Sequence, residues 1–187
     1  MYRKIKYGLP LLSCVFLLSF KTGISKFPTD QNNFPKPDGI SNLLFYVQRT
    51  INTNTIIYEL NVNSEGNINE KNPVKVYWLN FENQKSISPL TYIQRHYAYG
   101  LSLKNTDKEK GIYTLNFVSY KKRDFFLIKS HDGKYRVYAE VNNKFLALNK
   151  IFVQIDGGSF WFPNVKQIEV SYVAPGSLKE EIEIIKP

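Results

Sequence analysis

A single cysteine, Cys14, stands in the 187 residues, and it sits inside an apolar stretch near the N-terminus. A disulfide framework is therefore excluded, since one thiol has no partner in the chain. Histidine is almost as scarce: only His96 and His131 occur, so a three-histidine zinc site cannot be built. The nucleophile elbow Gly-x-Ser-x-Gly, the helix motif His-Glu-x-x-His and the glycine-rich phosphate loops are all missing. These absences remove the common templates for metal, nucleotide and serine chemistry, and the sequence implies no cofactor and no metal. No apolar run reaches the ~20 residues that a membrane-spanning helix needs.

What is present is aromatic and weakly basic. Thirteen tyrosines and thirteen phenylalanines favour strands around a well-filled core. The formal charge is +9. Arg3, Lys4 and Lys6 precede the apolar run 9–20, and Gly23-Ile24-Ser25 offers a small-x-small cleavage site. Residues 1–25 are thus expected to be a signal peptide, with cleavage before Lys26. Leu11-Leu12-Ser13-Cys14 partly resembles a lipobox, which would make an envelope lipoprotein, but the apolar run continues past Cys14. Removing 1–25 takes away four basic and no acidic residues, leaving 21 − 16 = +5. That charge suits loose association with anionic envelope polymers and is too weak to argue for nucleic acid. The expected location is the periplasm or cell envelope.

Residues 26–41, with three prolines and a run of polar residues, read as a linker, and 42–187 as one domain. Its apolar runs are short and alternate with period two. In 55–62, Ile56, Tyr58, Leu60 and Val62 share one face; in 135–141, Tyr135, Val137, Ala139 and Val141 do. Further strands are expected at 42–50, 74–81, 111–120, 124–129, 145–148, 151–155, 167–173 and 181–185. Asp132-Gly133 carries the type I′ hairpin signal, and Asn142-Asn143 joins the next pair, predicting an antiparallel meander over 124–148. Lys121-Lys122-Arg123 reads as a basic turn. Ser88-Pro89 resembles a helix start, Leu90, Ile93 and Tyr97 repeat at helical spacing and Gly100 supplies a stop, so 89–99 is read as one short amphipathic helix. The fold class is all-β, mainly an antiparallel sandwich or barrel, with one short α-helix.

Functional residues are few. Glu59, Glu140 and Glu169 fall at outward strand positions and read as a solvated face. Phe160-Trp161-Phe162 after a glycine pair form either a stacking platform for a sugar or partner, or a strand entering the core. Arg49 ends a strongly apolar strand, a costly place for a guanidinium unless something pairs with it. If a pocket exists, it is expected where the 89–99 helix meets that strand. There Arg49 and Arg95 would hold an anionic or sugar-acid ligand, with His96 and Tyr99 as hydrogen-bond partners. The alternative is that Arg49 pairs with a core acid and Arg95 and His96 are the wet face of the helix.

The blocks Leu44-Phe45-Tyr46-Val47-Gln48-Arg49, Asn72-Pro73-Val74-Lys75-Val76-Tyr77-Trp78, Ala98-Tyr99-Gly100 and Ile151-Phe152-Val153 occur in the order of a bacterial family, and from Leu43 onward the chain resembles domain of unknown function 4833. The resemblance implies an exported, β-rich protein of Gram-negative bacteria and carries no activity and no catalytic residues. Two function classes stay open. One is a non-catalytic envelope module that binds a small molecule, a glycan or another protein. The other is a hydrolase or transferase acting on an anionic or sugar substrate, its site assembled only in three dimensions.

Overall fold

The computed structural model describes residues 34–107, 110–159, 163–174, 176–177 and 179–187. The expected period-two segments become β1 (Leu43–Arg49), β2 (Asn52–Leu60), β3 (Val74–Asn80), β6 (Ile112–Phe117), β7 (Tyr120–Lys129), β8 (Tyr135–Val141), β10 (Pro163–Val173) and β11 (Glu180–Ile185). The runs 145–148 and 151–155 are one strand, β9 (Lys144–Gly158). Two strands escaped the sequence reading: β4 (Ser86–Pro89) and β5 (Leu101–Asp107).

All eleven strands belong to one curled sheet, branched at β9. Ala147 has a partner on each side, Tyr138 of β8 and Val173 of β10, and Ile151 has Val47 of β1 and Val170 of β10. So β8 and β1 share one edge of β9 end to end, and β10, which carries β11, takes the other. Two wings leave that edge, β1-β2-β3-β4 and β8-β7-β6-β5. The β1–β9 ladder is parallel, where period-two patterning alone had pointed to antiparallel neighbours. Register shifts from Ser171↔Lys150 to Tyr172↔Leu148, so Asn149 is the extra residue of a bulge. That bulge explains why Leu148 and Ile151, three apart, both reach the main core.

The inward faces read from the sequence are the observed ones. Ile56, Tyr58, Leu60, Val137 and Ala139 lie in one core, with Phe45 stacked on Tyr58 at 4.2 Å and Phe117 edge-on to both. The opposite face of β1–β3 is covered as well. Phe34 meets Phe152 edge-on at 5.0 Å, Gln48 donates to the Pro35 carbonyl at 2.8 Å, and Ile40 packs on Tyr46, Ile57 and Leu79. Glu169, read as solvated, lies on this covered side and is 3% exposed, with Gln154 and Gln167 donating to its Oε1. Its strand phase was right; the cover over it was not visible in the pattern.

The turns also exchange roles. Asn142 and Asn143 both have positive φ (50° and 61°) between Val141 and Lys144, the type I′ geometry. At Asp132-Gly133 only the glycine is left-handed, φ +79°, and the Gly133 N–H reaches the Ser130 carbonyl at 2.9 Å. This is a type I turn closed by a glycine bulge, not type I′. Nothing lies within 4 Å of a Cβ built at Gly133, so a substitution there acts through backbone torsion alone. Gly133→Val is expected to lower stability by about 1–3 kcal/mol in a urea titration, since β-branched residues rarely adopt that torsion. An unchanged midpoint would contradict the turn.

Candidate functional site

The segment read as a helix over 89–99 begins later and winds more loosely. Ser88 and Pro89 are extended, because Trp78↔Ser88 and Tyr77↔Pro89 pair in the β3–β4 ladder. The capping task falls to Thr91. Its Oγ1 accepts from the Gln94 N–H at 3.3 Å, and Gln94 Oε1 accepts from the Thr91 N–H at 3.0 Å, a reciprocal capping box. Gln94–Ala98 is then π-helical, and the Tyr99 N–H reaches the Gln94 carbonyl at 2.7 Å. The wider turn changes the phase: Leu90 is buried, whereas Ile93 and Tyr97 are exposed, and Gln94 and Tyr99 turn inward. Such turns are rare and occur frequently at functional sites.

Arg49 lies where this turn meets β1. Its guanidinium sits 4.6 Å from the Trp78 ring centre and 5.7 Å from that of Tyr99. Nη1 donates to the Tyr99 hydroxyl at 3.1 Å, Nη2 donates to Asn52 Oδ1 at 3.1 Å, and buried Nε has no partner among the described residues. No ion pair joins Arg49 to a carboxylate among the described residues. The cation is held instead by aromatic faces and neutral oxygens, a mode that contributes roughly 0.5–2 kcal/mol per ring. Trp78 in turn donates Nε1–H to Gln94 Oε1 at 3.2 Å, and Tyr58 donates to the Tyr99 carbonyl at 2.7 Å. The π-helical turn is thereby fastened to β1, β2 and β3.

Arg95 and His96 are exposed. His96 stacks on Tyr92 at 4.0 Å, and its Nδ1 lies 2.9 Å from the Tyr92 carbonyl. Arg95 lines a cleft of about 250 Å³ together with Asn72, Val74, Lys75, Val76, Gly100, Leu101 and Leu103. Arg49 does not line it, so the structure brings Arg49 to Tyr99 and sets Arg95 in a separate cleft. The cleft lies between the two wings of the curled sheet: Val74 and Val76 belong to β3, Leu101 and Leu103 to β5. Its lining combines aliphatic Val74, Val76, Leu101 and Leu103 with polar Asn72 and cationic Lys75 and Arg95. Phe160, Trp161 and Phe162 lie outside the described residues.

Sequence reasoning missed Trp78, Asn52, Gln94 and Lys75. The Thr91-x-x-Gln94 capping box was the available signal for the turn; nothing local joined Lys75 to Arg95, which only the curl of the sheet brings together.

A branched, curled all-β sheet, with a cleft bordered by β3 and β5, defines the class of protein. Residues 45–183 match the family described as Domain of unknown function (DUF4833), and the chain belongs to that family. No curated protein and no solved structure matches it.

Proposed function

We infer that the protein is an exported envelope module that binds an anionic ligand, without catalysis, in the cleft between β3 and β5. The observation that carries this reading is the cleft itself, whose lining residues include the cationic Lys75 and Arg95 and the amide Asn72 beside aliphatic Val74, Val76, Leu101 and Leu103. Its volume of about 250 Å³ leaves room for a small ligand. Guanidinium and ammonium groups beside aliphatic residues suit a carboxylate, phosphate or sulfate with a small hydrocarbon body. Arg49, Trp78 and Tyr99 support the site from behind by fixing the turn that presents Arg95.

The test is a titration of branched-chain carboxylates, sugar acids and inorganic phosphate, followed by thermal shift and by the methyl resonances of Val76 and Leu103. Arg95→Ala with Lys75→Ala should weaken the best binder about tenfold or more, since charge-assisted hydrogen bonds contribute ~1.5–3 kcal/mol. Both side chains are exposed, so the variant should keep the parent's melting temperature. Equal binding by parent and variant, or no binder in the panel, removes the reading. Export is checked separately: intact mass of protein recovered from the envelope should correspond to a chain starting at Lys26. A retained leader, or acyl chains on Cys14, would overturn that assignment.

A further inference from the structure

We propose that the ligand of this cleft is an extended acidic peptide segment of another protein, which pairs with the sheet as an added strand. The inference rests on the anionic-cleft reading and narrows it to a partner. β4 pairs with β3 only over residues 77–80, so residues 74–76 have a strand neighbour on the β2 side alone. β5 pairs with β6 on one side, and among the described residues no strand pairs with its other edge. Both unpaired stretches border the same cleft. Free sheet edges carry rows of N–H and C=O groups that template a further strand.

The side chains fit the same occupant. Val74 and Val76, and Leu101 and Leu103, are two apart on their strands, the spacing of alternate side chains on one face. An added strand would turn every second residue toward them, and its other residues toward Lys75, Arg95 and Asn72. Charge complementarity selects acidic residues there. The π-helical turn gives the specificity, because it carries Arg95 to the cleft while Gly100 lets the chain pass close against it.

The experiment uses the protein as recovered and a fluorescein-labelled peptide of about five residues alternating valine and glutamate, the length of a short strand. Saturable anisotropy is expected. Binding should weaken at least about tenfold when alternate peptide amides are N-methylated, when lysine replaces glutamate, or in the Arg95→Glu variant. Undiminished binding of the N-methylated peptide overturns the proposal, because the backbone ladder is then not made. Isovalerate, a branched carboxylate, separates the two readings. If it shifts the Val76 and Leu103 methyl resonances while the peptide does not bind, the strand proposal falls and the anionic cleft stands. If neither binds, both fall.

Discussion

Gly100→Ala should destabilise the domain strongly. A Cβ built on Gly100 lies 1.8 Å from the Arg95 carbonyl oxygen and 2.8 Å from its carbon, both backbone atoms. Real Cβ atoms do not approach so closely, and a carbonyl fixed in a helical turn cannot swing aside as a side-chain tip would. The cause is the π-helical winding, in which the chain returns after five residues and passes directly over Arg95. The obstruction is spatial, whereas at Gly133 it is torsional with open space around it. Relief needs the turn to rewind, and that movement would break the Trp78–Gln94 and Arg49–Tyr99 hydrogen bonds. The cost should be about 3 kcal/mol or more, the upper range for overpacking. Urea unfolding followed by tryptophan fluorescence measures it, and a midpoint within error of the parent would show that the π-helical turn is wrongly described.

How much of this was legible depends on what sets each feature. Strand faces were, because alternation is a property of one segment: Ile56, Tyr58 and Leu60 declare their side without reference to anything else. The family resemblance was legible for a similar reason, its blocks being contiguous. Glu169 and Arg123 were not, and for the same reason as each other. Whether an outward position meets water depends on what lies over it, and the segment near Phe34 and Pro35 that covers Glu169's side is more than 130 positions away in the chain. Arg123 followed two lysines and read as part of a basic turn, although period-two counting back from Leu127 and Phe125 puts it on the inward face of β7. β4 was hidden by a proline that resembles a helix start; at the end of an edge strand the missing N–H costs little. Arg49 was expected to need a partner, and the alternative of a core acid overlooked aromatic faces as partners. Lys75 and Arg95 come to line one cleft only through the curl of the whole sheet, which no local pattern encodes.

The second large effect is expected at Arg123 and Glu183, which join β7 to β11, strands that no ladder connects. Arg123 Nη1 and Nη2 donate to the two Glu183 carboxylate oxygens at 2.6 and 2.8 Å, and Nη1 also donates to the Tyr172 hydroxyl at 3.0 Å. Tyr172 in turn donates to Glu183 Oε2 at 3.1 Å. The side chains are 21% and 9% exposed, so the pair is largely withdrawn from water. The bond to Glu183 outweighs the opposing effect of burial and raises the Arg123 pKa; burial raises that of Tyr172, so the phenol stays protonated. Removing one member leaves the other charged in an apolar setting. Arg123→Met should therefore cost about 3–5 kcal/mol, the range for breaking a buried pair from one side. Arg123→Met with Glu183→Leu should recover most of that loss, because an apolar pair of similar volume often matches a buried ion pair. Hydrogen exchange adds a readout that global stability does not give: among the described residues β11 has β10 as its sole strand neighbour, so its amides should open sooner than those of β2 when the tie is cut. If the two substitutions prove additive in a double-mutant cycle, the ion pair does not hold the curled sheet together, and β11 is kept in place by its ladder to β10 alone.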